Sequence, residues 1–514
     1  MDLAWTLIEK KTQLVISITR KSVYMPTKPH LGHLYTAVIA DAAARFQLLQ
    51  GKSNNDSLIF GTGTDEHGSK IQRAAEELNI PPEKYCLEIS EKYKSLFNLF
   101  DVKYTHFIRT TDKKHKRAVQ HFWNLLKDRG HITSGSYSGW YCPADEAFLS
   151  ENEIKLLRSP DKSEIKVSIE SGRPVEWAEE KNFRFNLGKF IPDVEHWLKT
   201  EQPIQPSKFC DIALQYISNM KNAEFAELSV SRPSNRVPWG IPVPEHPDQT
   251  VYVWLDALVN YLTIAGYPEN LSQWPPNVQI IGKDILKFHG IYWPAFLIAA
   301  GLEPPKKIHV HSHWTVDDKK IYFLLRAGTA HSDANYSETK VLRMLNAELA
   351  DSLGNLLSRC TGSAINLGQI FPAFSASEFE RLFCASENLK DLASEVEQHF
   401  ENFDFYRGLE YIILTVHAIN KFFEHSEPWK LKKDPEKLED LLCVLHVTME
   451  SLKICAIALS PIIPQISSSL LDKLSVTSHE RHWSNLVPSW KLKIPTRDLS
   501  RLLPPSRPVT DKVF

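Results

Sequence analysis

The segment Pro29-His30-Leu31-Gly32-His33 constrains the fold most, because it joins a strand pattern to a helix pattern. Residues 22–25 are typical of the end of a strand, and Pro29 ends that pattern. Beyond it, apolar residues recur at helical spacing, at Leu34, Val38, Ile39, Ala42 and Phe46. A strand, a turn and a helix in this order form the phosphate-binding start of nucleotide-binding α/β folds.

Within that segment, a glycine and two histidines are candidates for contacting phosphate. Gly32 lets a ligand approach the backbone closely. His30 and His33 stand at the N-terminus of the predicted helix, where they can donate hydrogen bonds to phosphoryl oxygens. Histidines that open an ordinary helix are the alternative, and the tetrapeptide by itself does not decide between the two.

Length and composition limit the class of protein. The chain has 514 residues, 43% of them hydrophobic, so several hydrophobic cores are expected. Apolar stretches such as residues 293–301 are too short to cross a bilayer, which predicts that the chain has no membrane partner. The 60 basic and 62 acidic residues nearly balance. This balance excludes a generally basic nucleic-acid coat protein but permits a local basic groove.

Cysteine usage and the N-terminus bear on the compartment. The seven cysteines are scattered and form no Cys-x-x-Cys pair, which predicts a reducing compartment and no structural zinc. Residues 1–21 contain Asp2 and Glu9 and a single arginine, Arg20. They therefore match an arginine-rich, acid-poor transit peptide poorly.

Three patterns follow one another along the chain. Strand and helix patterns alternate over residues 24–108 and again over 239–314, with strands expected at 57–60, 250–254, 278–281 and 308–310. A charged, serine-rich insertion lies between these two stretches. From residue 342 onward the pattern is helical, and one predicted face contains Leu392, Val396, Phe400 and Phe403. The sequence therefore predicts an α/β domain with an insertion, followed by a helix bundle.

A second motif, Gly61-Thr62-Gly63-Thr64-Asp65-Glu66-His67-Gly68, directly follows a predicted strand. A strand that ends in glycines and then an aspartate places a carboxylate at the carboxyl edge of a parallel sheet, where ligands of open α/β sheets bind. Asp65 is therefore a candidate acceptor for an ammonium group. A glycine turn with a capping aspartate is the alternative.

Five motifs together resemble methionyl-tRNA synthetase, in the order and at the spacing of that family, over about residues 24–464. They are the Pro29 to His33 segment, the Gly61 to Gly68 octapeptide, Leu228-Ser229-Val230-Ser231-Arg232, Tyr252-Val253-Trp254-Leu255-Asp256-Ala257 and Ile281-Gly282-Lys283-Asp284-Ile285-Leu286-Lys287-Phe288-His289. The mitochondrial form is favoured, because Cys142-Pro143-Ala144-Asp145 stands where zinc-binding relatives have Cys-x-x-Cys. No further tRNA-binding domain follows the predicted bundle.

The resemblance implies a Rossmann-like class I synthetase catalytic domain with an inserted connective domain, followed by an all-α anticodon-binding bundle. The predicted segments are a divergent N-terminus (1–21), the first Rossmann half (22–108), a connective insertion without zinc (109–233), the second Rossmann half (234–320), a truncated linker (321–365), the anticodon-binding bundle (366–503) and a disordered tail (504–514).

It also implies the reaction and the partners. The carboxylate of L-methionine attacks the α-phosphate of ATP, which is bound with Mg²⁺, and the methionyl group then passes from the adenylate to a methionine tRNA. Catalysis of this kind depends mostly on positioning and on stabilising charge on the phosphates. We expect no zinc, no protein partner, and a location in the mitochondrial matrix.

The resemblance assigns roles to individual residues. His30, Gly32, His33, Lys283 and Asp284 are expected to bind ATP. Arg232 and Lys320 are expected to act with His30 and His33 at the reacting centre. The methionine site is expected to comprise Tyr24, Asp65, Trp254, Ala257, Tyr261 and His289, the aromatic groups supplying sulfur contacts. Asn355, Arg359 and Trp429 are expected to read the CAU anticodon. Without the motifs, core packing would be the default for Trp254 and Tyr261, and a helix-end anchor for Trp429.

Two departures from the family concern the N-terminus and a loop. In residues 20–26 only Tyr24 matches the family strand clearly, and the charged Lys21 begins what should be a buried central strand. After Lys320, which matches the first lysine of the family's Lys-Met-Ser-Lys-Ser signature, the chain passes directly to Ile321-Tyr322-Phe323. The second signature lysine normally meets the leaving pyrophosphate. Losing one such donor costs about 3–4 kcal/mol of transition-state stabilisation, or about two to three decades in rate.

Three hypotheses follow. The chain is a mitochondrial methionine-tRNA ligase, or it is a catalytically impaired splice or predicted variant that still binds tRNA. A class I synthetase for another apolar amino acid is the third. That reading requires a large editing insertion, for which residues 109–233 are too short.

Overall fold

The computed structural model describes residues 13–16, 29, 31–53, 58–143, 147–149, 151–158, 164–169, 172–221, 227–312, 314–315, 321–328, 333–335, 337–373, 387–488 and 497–498. Tyr24, His30, Lys320, the predicted strand at 22–25 and the predicted tail at 504–514 lie outside these residues. The chain divides into two compact units. The first comprises residues 1–37 and 57–311, and the second comprises residues 38–56 and 312–514.

The first unit is built on strands and helices that alternate in its two α/β stretches. Its strands are β1 (Gln13–Ile16), β2 (Ile59–Thr64), β3 (His106–Arg109), β4 (Ile132–Cys142), β5 (Ala147–Leu149), β6 (Ile154–Arg158), β7 (Glu164–Ser168), β8 (Glu176–Asn186), β9 (Ile204–Gln205), β10 (Glu227–Ser229), β11 (Ser231–Pro233), β12 (Pro242–Val243), β13 (His246–Val251), β14 (Val278–Gly282) and β15 (Ile308–His311). Its helices are α1 (Leu31–Leu49), of which residues 38–49 belong to the second unit, α2 (Ser69–Glu77), α3 (Pro82–Leu99), α4 (Lys113–Asp128), α5 (Leu187–Glu201), α6 (Ser207–Lys221), α7 (Val253–Ala265) and α8 (Trp293–Ala299).

Six parallel strands form the central sheet in the order β3-β2-β1-β14-β15-β9. Strand β1 lies between β2 and β14, so the order reverses there, and open α/β sheets bind ligands at such a switch point. This strand is Gln13–Ile16 and lies inside the segment predicted as a divergent N-terminus. The apolar run Leu14-Val15-Ile16 suits a central strand, whereas Arg20-Lys21 does not. The Rossmann sheet therefore begins before residue 22.

Strand β2 extends farther than the sequence predicts, because two glycines continue the strand instead of turning it. A Cβ on Gly61 would lie 2.6 Å from Cδ1 of Ile264 in α7. A Cβ on Gly63 would lie 2.0 Å from the carbonyl oxygen of Ile108 in β3. The glycines therefore allow close packing of α7 and β3 against β2, and Asp65 follows the strand directly.

The insertion is mostly antiparallel, with a four-stranded sheet in the order β10-β8-β4-β5 and a separate hairpin of β6 and β7. A three-stranded sheet, β11-β13-β12, follows it. The strand expected at 250–254 ends at Val251, and α7 begins at Val253. All residues of α7 from Trp254 to Ala265 are buried, so this helix forms the centre of the first unit.

The second unit is mainly helical. Its elements are β16 (Trp314–Thr315), α9 (Ile321–Ala327), β17 (Ala334–Asn335), α10 (Glu338–Met344), α11 (Asn355–Thr361), β18 (Ile370–Phe371), α12 (Glu387–Glu401), α13 (Phe405–His425), α14 (Pro428–Leu431), α15 (Leu438–Leu459), α16 (Pro464–Lys473) and β19 (Arg497–Asp498). A π-helical turn at Leu345–Gly354 joins α10 to α11. The predicted face of α12 is buried at Leu392, Val396 and Phe400, but Phe403 lies beyond the helix with a φ of 61°.

Helix α15 forms the core of the bundle. By length and composition, the stretch Pro435–Leu459 is long and apolar enough to cross a membrane. The most apolar window of this stretch is 94% buried inside the protein. Glu450 and Lys453 are themselves buried and pair with each other at 2.7 Å. This degree of burial is typical of a helix in the core of a folded domain.

Candidate functional site

The carboxyl ends of the parallel strands bring several predicted residues to one edge of the sheet. Asp65 follows β2, and Lys283 and Asp284 form a short 3₁₀ turn directly after β14. At the end of β15, Nε2 of His311 lies 2.8 Å from Oγ1 of Thr36 in α1. The first turns of α1, which contain Gly32 and His33, therefore lie against this edge of the sheet.

His33 is buried in the first turn of α1. Its ring packs edge-on against Tyr93 of α3, with the centroids 5.1 Å apart, and the Tyr93 hydroxyl lies 3.1 Å from Nδ1. Only 6% of the residue is exposed. The position at a helix N-terminus agrees with the sequence prediction, and the phosphate role of His33 stays a prediction.

The loop that contains Asp65 is anchored by the residue that follows it. The Glu66 carboxylate accepts two hydrogen bonds from Arg109, from Nε at 2.8 Å and from a terminal nitrogen at 2.9 Å. It also accepts hydrogen bonds from the hydroxyl groups of Thr64 and Thr111, each at 2.6 Å. Four donors on a buried carboxylate hold this part of the loop against the end of β3.

His67 ties the same loop to α7. Its Nδ1 donates to Oδ2 of Asp256 at 2.6 Å, and Nε2 of His115 donates to Oδ1 at 2.7 Å. Burial alone would raise the pKa of the Asp256 carboxyl, but the two histidines outweigh it and lower that pKa to about 2. Asp256 is therefore an ionised carboxylate at neutral pH, with both oxygens engaged.

The predicted methionine-binding residues of α7 share one face, since Trp254, Ala257 and Tyr261 are spaced by three and four positions. The Tyr261 hydroxyl lies 2.9 Å from Nε2 of His289, which belongs to the π-helical turn Phe288–Tyr292 before α8. Burial lowers the pKa of His289 to about 4, so its imidazole is neutral at pH 7. The structure brings these four residues together in the core.

Trp254 is stacked on a residue that was not singled out from the sequence. Its ring lies parallel to that of Phe288, at an angle of 10° and with the centroids 3.6 Å apart. The wall next to His289 is therefore aromatic and buried. An aromatic wall of this kind suits a polarizable thioether.

Lys287, in the same π-turn region, forms an ion pair with Glu153 of the insertion. Burial lowers the pKa of Lys287, but the Tyr292 hydroxyl and Glu153 outweigh this effect and raise that pKa above its usual value. The pair joins the insertion to the segment that contains His289. Lys287 was quoted in the sequence motif but received no role there.

Arg232 lies on β11 and is 3% exposed. One terminal nitrogen donates to Oγ of Ser229 at 2.8 Å and to the carbonyl oxygen of Ser231 at 2.7 Å. Its guanidinium stacks over Tyr252, 4.4 Å from the ring centroid, with Phe148 at 5.3 Å. These contacts pack Arg232 between other residues of the insertion and Tyr252, and its role at the reacting centre stays a prediction.

In the second unit, two of the three predicted anticodon residues meet. The Arg359 guanidinium lies 5.7 Å from the ring centroid of Trp429 and 5.0 Å from that of Phe423. Glu424 accepts from Arg359 at 2.5 Å and fixes the direction of the side chain. Asn355 is exposed one helical turn before Arg359 on α11.

Comparison with known proteins gives the family. Residues 16–321 and 322–361 match the family described as tRNA synthetases class I (M), and residues 385–499 match the anticodon-binding domain of tRNA ligases. The chain belongs to the class I methionyl-tRNA synthetases. The two parts of the family match meet at Ile321 and Tyr322, next to the point where the sequence lacks the signature loop. The predicted family and fold class are confirmed.

Relatives and solved structures agree with this assignment. The mitochondrial methionine-tRNA ligase of Takifugu rubripes is 45% identical over 504 residues, covering 91% of this chain and 84% of the relative. That of Homo sapiens is 42% identical, covering 90% and 84%. The methionyl-tRNA synthetase of Mycobacterium tuberculosis bound by methionyl-adenylate is similar with a TM-score of 0.84 and 30% identity, covering 97% of this chain and 99% of that chain.

Sequence reasoning missed the residues that hold the synthetase loop in place. Glu66, His67 and Asp256 lay inside quoted motifs, but only Asp65 was given a role. Asp256 left a visible signal, since it is the one charged residue in the apolar helix α7. A buried charge in such a helix requires partners, and those partners are the two histidines.

Proposed function

We propose that this chain is a mitochondrial methionine-tRNA ligase. In this proposal it condenses L-methionine with MgATP to methionyl-adenylate, releases pyrophosphate, and transfers the methionyl group to the terminal ribose of a methionine tRNA. The observation that carries the proposal is the buried face of α7 that contains Trp254, Ala257 and Tyr261. The neutral His289 lies next to this face and contacts the Tyr261 hydroxyl. The names of the relatives, which are methionine-tRNA ligases of mitochondria, support the same conclusion.

The proposed mechanism consists mainly of positioning. Asp65 accepts the ammonium group of methionine, and the aromatic face holds the thioether, so that the substrate carboxylate points toward the α-phosphate. Gly32, His33 and the neighbouring His30 contact phosphate oxygens, which is supported by the position of α1 at the carboxyl edge of the sheet. Mg²⁺, bound with ATP, reduces the negative charge of the phosphates.

The remaining predicted residues have secondary roles in the proposal. Lys283 and Asp284, directly after β14, lie on the nucleotide side of the switch point. Arg232 and Lys320 act on the reacting groups. In the bundle, Trp429 stacks on an anticodon base, and Arg359 and Asn355 hydrogen-bond to base edges, which is supported by the contact between Arg359 and Trp429.

A second candidate function is a tRNA-binding form with impaired catalysis. It is favoured by the direct passage from Lys320 to Ile321, which leaves out the second signature lysine. In this form the bundle still binds methionine tRNA. The adenylate step is slower by about two to three decades, because one donor to the leaving pyrophosphate is absent.

Methionine-dependent exchange of labelled pyrophosphate into ATP tests the first proposal. We expect exchange with methionine that exceeds exchange with leucine or isoleucine, and loss of that exchange in Asp65→Asn. No exchange above background contradicts an active ligase. A titration with methionine tRNA and with a CAU-lacking variant then tests the binding form, and equal affinity for both RNAs contradicts it.

Location and metal content complete the proposal. The names of the relatives support a mitochondrial location, and we propose the matrix as the compartment. We also propose that the chain holds no zinc, since Asp145 stands three positions after Cys142, where a Cys-x-x-Cys pair has its second cysteine. Fractionation of mitochondria and metal analysis of the purified chain test the two statements separately.

A further inference from the structure

Asp65 has a distinctive position within its loop. The loop of four residues, Asp65 to Gly68, connects β2 to α2. In residues 61–69, all of which the structure describes, Asp65 alone is half-buried, while every neighbour is buried. The chain therefore presents one carboxylate from a segment that is otherwise packed into the protein. How precisely the Asp65 carboxylate is positioned depends on the contacts of the neighbouring residues.

Three anchors hold the buried neighbours. Glu66 is bound by Arg109 at the end of β3. The indole nitrogen of Trp239 donates to the carbonyl oxygen of Glu66 at 2.6 Å, and the amide of Gly68 donates to the carbonyl oxygen of Trp239 at 3.0 Å. The third anchor is the hydrogen bond from His67 to Asp256. The first two anchors hold the loop to its surroundings, and the third leads directly to the pocket helix.

Asp256 lies between two pocket residues, Trp254 and Ala257, on α7. Its carboxylate is 1% exposed and receives His67 on one oxygen and His115 on the other. Because His115 belongs to α4, the carboxylate is also held by a second helix. Hydrogen bonds to a buried, ionised acceptor are strong and geometrically restrictive. Among the three anchors, this buried group is the one that joins the loop directly to α7.

We infer that Asp256 is a positioning residue for methionine: through His67 it holds Asp65 at a fixed distance from the thioether pocket, so that one ligand satisfies both sites. This inference rests on the proposed function. Methionine places its ammonium group and its sulfur at opposite ends of a short chain, so an ammonium acceptor displaced by about 1 Å loses much of its contribution. Asp256 itself does not touch the substrate in this arrangement.

A double-mutant cycle tests the inference, with L-methionine affinity measured by calorimetry. We expect Asp256→Asn to raise the dissociation constant about ten-fold in the wild-type background. In the Asp65→Asn background the same change should alter it by less than about two-fold, because the group that Asp256 positions is already absent. If Asp256→Asn raises the dissociation constant by the same factor in both backgrounds, the effect is a general structural one and the inference is overturned. No change in the dissociation constant in either background also overturns it.

Substitutions at His67 provide a second route if Asp256→Asn does not fold. His67→Asn keeps a donor near the position of Nδ1, whereas His67→Phe keeps the bulk and removes the donor. We expect the first to retain methionine affinity and the second to reproduce the ten-fold loss. Equal affinity of the two variants contradicts the inference.

Glu450→Gln in the bundle is the matched control, since it also removes a buried charge from an ion pair. It is expected to lower the unfolding temperature without changing methionine affinity. If the wild-type chain itself binds no methionine, the proposed function fails together with the inference. If the wild type binds methionine and the effects of Asp256→Asn and Asp65→Asn simply add, the inference is wrong while the proposed function stands.

Discussion

The hydroxyl of Tyr261 donates a hydrogen bond to Nε2 of His289, 2.9 Å away in the buried core of the first unit. The other ring nitrogen, Nδ1, lies 2.9 Å from the carbonyl oxygen of Ile285 and must carry the proton, because a carbonyl only accepts. The tautomer of His289 is thereby fixed. The lowered pKa of the imidazole keeps it neutral, which is the form that this pair of bonds requires.

Removing the tyrosine hydroxyl should therefore weaken methionine binding. In Tyr261→Phe the buried Nε2 of His289 loses its donor, at a cost of about 1–3 kcal/mol. We expect the dissociation constant of L-methionine, measured by calorimetry, to rise about ten-fold. Tyr267→Phe is the matched control, since the Tyr267 hydroxyl also bonds to a histidine, Nδ1 of His121 at 2.6 Å. A similar loss in both variants contradicts a specific role for Tyr261.

Stability should fall with acidification through His289. Its pKa is about 4 in the folded protein and 6.5 in the unfolded chain, so between these values the unfolded state binds more protons. The folded state consequently loses stability as pH falls from about 6.5 to about 4. From pH 7 to pH 5 we expect wild type to lose about 2 kcal/mol more unfolding free energy than His289→Gln. Denaturant titrations at both pH values measure these free energies. An equal loss in the two proteins between pH 7 and pH 5 contradicts this prediction.

The motifs assigned roles to residues that lie in local patterns, such as Asp65, Trp254 and His289, and those roles stay predictions. The motifs gave no role to the residues that support them. The bond from His67 to Asp256 joins residues 189 positions apart, and the bond from His115 to Asp256 joins residues 141 positions apart. A single sequence contains no signal for which distant side chains meet. A buried charge in an apolar helix shows only that some partner is required.

The fold shows the same division. The strands at β14 and β15 were predicted within one residue, because each is a short apolar run with clear ends. No strand was predicted from the sequence at Gln13–Ile16, where the structure has the central strand β1, and the strand predicted at 22–25 lies outside the described residues. Strand β2 was ended too early, because glycines usually mark turns. Here they allow close packing, which depends on Ile264 and Ile108 and is visible only in the folded protein.

The Glu66 anchor should matter for stability. Glu66 is 2% exposed, and Glu66→Gln leaves the Arg109 guanidinium without its ionised partner. Because the Arg109 side chain is 20% exposed, we expect the loss of this partner to cost about 1–3 kcal/mol. We expect the unfolding temperature of the first unit to fall clearly, as measured by scanning calorimetry. Glu245→Gln, which removes an exposed partner of Lys127, should leave that temperature unchanged. An equal effect of the two substitutions contradicts the prediction.

Restoring the missing segment should restore the adenylate step. Insertion of the Met-Ser-Lys-Ser loop and its following helix from a relative, between Lys320 and Ile321, returns the second lysine to the chain. We expect pyrophosphate exchange to rise about 100-fold to 1,000-fold. A glycine-serine insertion of equal length tests whether linker length alone matters, and replacement of the restored lysine by methionine tests its charge. Equal rates for all three insertions contradict a role for the lysine.

Trp429 should determine anticodon affinity. Its ring lies 5.7 Å from the Arg359 guanidinium, which Glu424 holds in place, so the indole is already oriented before RNA arrives. Stacking of one base on such a ring contributes about 1–3 kcal/mol. We expect Trp429→Leu to weaken binding of a CAU anticodon stem-loop by about ten-fold or more in fluorescence titrations. Affinity for a stem-loop without CAU should change little, because that RNA does not use the site.

Trp177→Leu, at a tryptophan that is 58% exposed in the insertion, is the control for the Trp429 prediction. If it weakens CAU binding as much as Trp429→Leu does, general loss of an exposed aromatic group explains the effect, and the anticodon role of Trp429 is wrong.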